Sequence, residues 1–327
     1  MYIRDRRAIH KTAASVLDRS AEAQRIALVY GLICCGLSII STVLSVVLSD
    51  RISGTGGLGN IGLRSILSTG QSVLPLINMA VTACLSLGYH TAILCFIRGF
   101  DASTGTLSSG FRHIGPVLRT LLIQGLIYAG AGSLALYLSA SIFVASPFSE
   151  DFLALMEPYL SSMTVMSAGL SVDEATLMAA AETMIPMVWI LLIVGPLLIL
   201  PMIYRFRMTT FCLADDPRLG AIHALFKSRR LMRRNCFSLL RLDLDLWWYY
   251  AAQLAIMVVC YGDVLLPLVG IELPWSGMFS YYLFLILSLV MQMALYYFGM
   301  NRVYTVYAVA YDALQETLPQ PNFPATV

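Results

Sequence analysis

The amino-acid sequence predicts an all-α fold: a polytopic membrane helix bundle of six transmembrane helices with both termini cytoplasmic, plus cytoplasmic amphipathic helices and short outer helices. Three observations carry that expectation. Hydrophobic residues make up 58% of the 327 positions and charged residues 12%, with a mean hydropathy of +0.75, far from the balance of a soluble domain. Apolar runs recur at the length of about 20 residues that a helix needs to cross a bilayer. The charges are also sorted: nine of the 21 Lys and Arg lie in one loop, Arg205 to Arg241, whereas Ser146 to Thr183 holds six acids and no base. So short and basic a loop stays on the cytoplasmic side during insertion, and it orients the helices on either side.

Residues 1–26 read as a cytoplasmic amphipathic segment, with Arg6, Arg7, Lys11 and Arg19 interleaved with Ile9, Ala13, Val16 and Leu17 at helical spacing. The charged region is too long, and the apolar run after it too long, for a signal peptide. The membrane domain, 27–312, opens with span one, 27–48. In the Gly/Ser-rich connector that follows, Gly57, Gly59 and Gly62 match G-x-G-x-x-G, but no βαβ unit surrounds them and the match is not a dinucleotide site. Span two, 73–97, sets Asn78, Thr82, Ser86 and His90 four residues apart, a stripe that must face protein or water because lipid cannot satisfy it. Span three, 117–144, repeats the device with Thr120, Gln124 and Tyr128, beside a ladder of Gly125, Ala129 and Ser133 that permits close helix approach. In the acidic outer segment, Ser149 ahead of an amphipathic run and a capping box from Ser171 to Glu174 predict two short helices. Span four, 185–204, carries Pro186, Pro196 and Pro201 and is expected to kink or unwind near its middle. Span five, 246–269, begins with Trp247, Trp248, Tyr249 and Tyr250, an aromatic anchor at headgroup depth. Span six, 278–298, ends before Asn301 and Arg302, and 313–327 reads as a flexible tail. On this layout 19 basic residues are cytoplasmic and two, Arg51 and Arg64, lie outside. The seven cysteines fall in spans or in the basic loop, away from an oxidising exterior, and are expected to be free thiols.

Within the basic loop, Asp216 is placed as N-cap and Pro217 as the first residue of a helix running to Asn235. Ile222, Leu225, Phe226 and Met232 form an apolar stripe, with Lys227, Arg230 and Arg234 on the opposite side. That is the pattern of a helix lying in the plane of an anionic leaflet, where each Lys or Arg adds about 1 kcal/mol of lipid attraction. Anionic inner-leaflet lipids are therefore the expected partners, with a partner protein at the same face as the other candidate. The loop is tied to the membrane at both ends and offers no DNA or RNA module, so nucleic acid is not expected.

Three stretches of the loop carry a resemblance: Leu213-Ala214-Asp215-Asp216-Pro217, Ser228 to Asn235, and Leu242 to Tyr249. They resemble the bacterial multi-span membrane protein family catalogued as domain of unknown function 975, whose pattern runs L-A-D-N-P, then S-R-x-x-M-x-G-N, then L-D-L-S-F-I-G-W. Arg234 stands where that family has glycine, and the third stretch keeps only the first half of its motif. Looser similarity extends over residues 70 to 315. The resemblance implies a six-span bundle in the bacterial plasma membrane and brings no activity with it.

No H-E-x-x-H, no G-x-S-x-G and no paired catalytic carboxylates occur, the four histidines are scattered, and no Cys/His spacing suits zinc. The chain is accordingly not read as an enzyme, and no metal or cofactor is expected. The leading expectation is a non-enzymatic bundle that binds lipid or a partner protein through its basic cytoplasmic face. The alternative is a small-solute transporter or permease-like subunit with a polar pocket open to the cytoplasm, lined by His90, Gln124, Gln253 and Gln292. Each of the four lies on its helix's polar stripe, five to nine residues from the nearest cytoplasmic marker, or about 7 to 14 Å into the membrane at 1.5 Å per residue. The same side chains would serve equally as helix-packing hydrogen bonds. Cysteine reporters at Ser161 and Ser238 test the orientation. An impermeant thiol reagent applied to intact cells should label the first and spare the second, and the reverse pattern overturns the topology.

Overall fold

The computed structural model describes residues 5–19, 21–54, 61–154, 183–262 and 277–316, and helix is the only regular secondary structure among them. In order the helices are α1 (Arg6–Arg19), α2 (Ala21–Gly54), α3 (Ile61–Ile97), α4 (Ile114–Val144), α5 (Ile185–Phe206), α6 (Thr209–Asp215), α7 (Ala221–Met232), α8 (Cys236–Asp245), α9 (Trp247–Cys260), α10 (Gly277–Leu295) and α11 (Asn301–Glu316). A π-helical turn, Tyr296–Met300, joins α10 to α11. Five helices are long and apolar enough to cross a membrane: Ala21–Ser49, Leu67–Ile97, Ile114–Val144, Ile185–Asp215 and Tyr282–Glu316. They coincide with expected spans one to four and six. Span five is represented by the shorter apolar helix Trp247–Cys260, and its expected end, 263–269, lies outside the described residues. So do Gly57 and Gly59, the capping box at Ser171 to Glu174 and the tail beyond Glu316. Of the two expected outer helices, the first begins as read, with residues 149–154 helical.

Two compact units share the chain, Leu122–Arg205 forming one and the remainder the other. In the larger unit α3 packs against α2, α6 and α11, α1 lies on α11, and α9 pairs with α10. The apolar face of α1 drives its docking: Ile9 and Ala13 are fully buried, and Asp5 caps the helix by accepting the Ala8 N–H at 3.2 Å. In the same core, Tyr311, Met208, Leu239 and Leu242 are fully buried. Gly99 terminates α3 in the left-handed region, φ +79°, with the Phe100 N–H on the Cys95 carbonyl and the Gly99 N–H on that of Phe96, the paired bonds of a Schellman stop. The chain then folds back against α3 through a 3-10 turn, Thr104–Ser108, and one helical turn, Ser109–Arg112. In the smaller unit, Gly132, Ala135 and Leu136 of α4 and Gly195, Pro196, Ile199 and Leu200 of α5 line an apolar groove of about 560 Å³.

Three expectations are corrected. α5 runs unbroken through Pro196 and Pro201; each proline removes one N–H, which a membrane helix tolerates, and the break falls instead at Arg207 and Met208. The loop helix does not start at Pro217. Asp216 Oδ1 accepts the Arg218 N–H at 3.0 Å, an Asx turn that diverts the chain, and α7 starts at Ala221 and stops at Met232 before a separate α8. Finally, helix continues well past Phe298, and Ala313 and Leu314, expected in a flexible tail, are buried.

Two glycines permit the fold-back onto α3. A Cβ at Gly110 would sit 1.9 Å from the Cys84 carbonyl oxygen, and one at Gly88 would sit 2.2 Å from that of Leu107. Gly110→Ala and Gly88→Ala should each lower stability by about 1–3 kcal/mol or more, since the clash is with backbone. Gly125→Ala, whose Cβ would meet nothing within 4 Å, is the matched control. Thermal unfolding in detergent reads the difference, and three equal midpoints refute the close approach.

Candidate functional site

The charges of the basic loop divide by the acids they meet. Asp215, at the end of α6, is a hub. Its Oδ1 accepts from Arg98 Nη1 at 2.6 Å, while Oδ2 accepts from Gln315 Nε2 at 2.7 Å and Tyr311 Oη at 3.1 Å and faces Lys227 Nζ at 3.5 Å. Arg98 also donates to Asp312 at 2.9 Å. The bond to Asp312, and after it the bond to Asp215, keep the Arg98 guanidinium above its already high range against the opposing effect of burial. One carboxylate thereby ties together α3, α6, α7 and α11.

A second cluster forms around Arg207, in the turn between α5 and α6. Its Nη1 pairs with Asp243 Oδ2 at 3.1 Å, with Asp243 only 8% exposed. Its Nη2 donates to the hydroxyls of Tyr250 and Tyr307, and Tyr307 donates in turn to Asp243 Oδ1 at 2.6 Å. The guanidinium also lies 4.5 Å from the centroid of the Tyr307 ring. Here α8, α9 and α11 meet one half-buried cation. A third, more exposed contact holds α1: Arg6 Nη1 bonds Asp245 Oδ1 at 2.8 Å, and His10 Nε2 lies 3.7 Å from Oδ2.

What these clusters leave outside is the surface of α7 and α8. The stripe expected from spacing splits in two. Leu225 and Met232 are buried, while Ile222 is 57% and Phe226 62% exposed. Lys227 turns inward to Asp215, and Arg230 and Arg234 face out together with Arg229 and Arg233. On α8, Phe237, Arg241 and Leu244 continue the outward row, and Trp247 opens α9 beside it. Among the described residues none of these five arginine side chains is in an ion pair.

His90 is buried, its Nδ1–H donating to the Ser86 carbonyl and its ring set edge-on to Phe211, Tyr304 and Tyr89. Gln253 and Gln292 are half-buried, one helical turn beyond Tyr249 and one before Tyr296 respectively. These three belong to the larger unit, where His90 is the member set against Tyr89 and Tyr304. Gln124 belongs to the smaller unit and is half-buried on α4. All seven cysteines are free thiols.

Spacing alone did not single out Arg98, Arg207, Asp215 or Asp243 as anchors. A signal was available: an acid flanked by leucines inside a basic loop, as in Leu242-Asp243-Leu244, is seldom placed there without a buried partner. No protein-family model, no curated protein and no solved structure matches the chain.

Asp243→Asn leaves the Arg207 guanidinium, 23% exposed, without its counter-ion and should cost about 3–5 kcal/mol. Asp245→Asn frees Arg6, 44% exposed, and should cost at most about 1 kcal/mol. Unfolding midpoints of the two purified variants check the ranking, and equal shifts would refute it.

Proposed function

We propose that this multi-span membrane protein is a non-enzymatic bundle whose basic cytoplasmic face binds anionic phospholipid headgroups. The observation that carries the reading is the outward row on α7 and α8. Phe226, Phe237 and Leu244 are 62%, 82% and 63% exposed, and Arg229, Arg230, Arg233, Arg234 and Arg241 stand among them. Large apolar side chains exposed beside arginines that form no ion pair among the described residues suit the boundary between acyl chains and headgroups, where the rings enter hydrocarbon and the guanidinium groups meet phosphate. Both helices are pinned from behind by the Asp215 and Asp243 clusters, so the row is presented by a rigid support. A protein partner would meet the same surface, but the arginines favour a phosphate-rich one.

The test separates inward from outward charge. Changing Arg229, Arg230, Arg233 and Arg234 to Gln should reduce the preference for phosphatidylglycerol over phosphatidylcholine by about fivefold per arginine, the equivalent of about 1 kcal/mol each. The fold should be left intact. Lipid retained through purification, quantified by mass spectrometry, reads this out. An unchanged lipid profile in the folded variant overturns the proposal and leaves the face to a protein partner.

A further inference from the structure

Within the smaller unit, α4 and α5 line an apolar groove of about 560 Å³. Its floor is made of small residues and its rims of large ones. Ala135 is 1% exposed and Gly195 is buried, whereas Leu136, Leu200 and Ile203 are 50%, 43% and 36% exposed. A Cβ added at Gly132 or at Gly195 would meet nothing within 4 Å among the described residues. The buried glycine therefore opens onto space that the side chains around it do not fill.

Both helices are long and apolar enough to cross a membrane, and every residue lining the groove is apolar. A void of this size in hydrocarbon would forfeit dispersion contacts along its whole wall, so its occupant is apolar too. The proportions choose among occupants. From Leu191 to Ile203 the groove follows α5 for twelve residues, about 18 Å at the helical rise and a little more than one leaflet's share, about 15 Å, of the hydrocarbon core. Spread over that length, the volume leaves a cross-section of about 30 Å², or roughly 6 Å across. A transmembrane helix with its side chains is about 10–12 Å wide and would rest on the rims. A single hydrocarbon chain can enter. Arg205 is exposed two residues beyond Ile203, about 3 Å further along the axis, which puts a cation at the level where the phosphate of such a lipid would lie.

We propose that the groove between α4 and α5 is a binding site for one acyl chain of an anionic phospholipid, held with its headgroup at the Arg205 end. α7 and α8 are read as taking headgroups; the groove takes a chain, and neither site needs the other.

The experiment places the full chain in nanodiscs of phosphatidylcholine with a trace of phosphatidylglycerol that carries a diazirine midway along one acyl chain. Adducts formed on irradiation are mapped by mass spectrometry. They should be at least about fivefold more frequent on Ala135, Leu136 and Leu200 than on Leu134, Ile193 and Leu197, neighbours on the same helices that are 50%, 70% and 72% exposed and open to bulk lipid. Gly132→Leu and Gly195→Leu, each filling the floor, should remove the excess and leave labelling of Leu197 unchanged. A phosphatidylcholine headgroup on the same labelled chain should reduce the excess, and no reduction overturns the role given to Arg205. Equal labelling of the two sets means that bulk lipid alone passes the groove and overturns the proposal. An excess that survives both substitutions in folded protein overturns it as well, because the chain then lies elsewhere. Sparse labelling of the groove together with dimers in native mass spectrometry gives the groove to a second copy and overturns it too. The wild-type ratio needs no variant, so a substitution that fails to fold leaves the answer standing.

Discussion

Arg207 sits in the turn where α5 gives way to α6, and its charge is met by Asp243 and two phenols from three other helices. Where water is scarce a guanidinium without partners is costly, so this geometry is demanding: α8, α9 and α11 must all arrive at one point. Once they do, α8 cannot slide along the bundle. α7, tethered by Lys227 to Asp215, is placed between two fixed ends. The outward row of arginines and aromatic rings follows from that placement more than from the helical propensity of the loop.

The basic loop therefore contains two populations of cations that composition alone merges. Lys227 and Arg207 are turned inward to carboxylates and hold helices together. Arg229, Arg230, Arg233, Arg234 and Arg241 are outside and carry the interaction with phosphate that we propose. The same division explains why acids occur in so basic a loop. Asp215 and Asp243 balance the buried part of the charge and leave the exposed part undiminished.

Much of the architecture was legible in residue patterns, because a membrane limits the options. Long apolar runs can only be helices, and five of the six expected spans appear as such. α1 was legible from Ile9 and Ala13 at helical spacing. The loop was harder to read. Pro217 after Asp216 has the form of a helix start, but the Asp216 side chain bonds the Arg218 N–H and makes a turn instead. Helical spacing also could not say which side of α7 would be covered. Its solvent-polar and protein-facing sides are chosen by Asp215, Arg98 and Asp312, contributed by other helices. His90 illustrates a related limit: its stripe was correctly polar, but whether an imidazole meets water or aromatic rings depends on Phe211 and Tyr304, far away in the chain.

The π turn at Tyr296–Met300 sets local helix quality against global fit. Deleting one of its five residues would let α10 run into α11 as a continuous, better-bonded α-helix. It would also rotate the two by about 100°. Gln292 and Tyr296 would swing away from Tyr30 and α9 while Asn301, Tyr304 and Tyr307 kept their places. The irregular segment acts as a spacer with an angular function, and a chain made more perfect there would assemble less well.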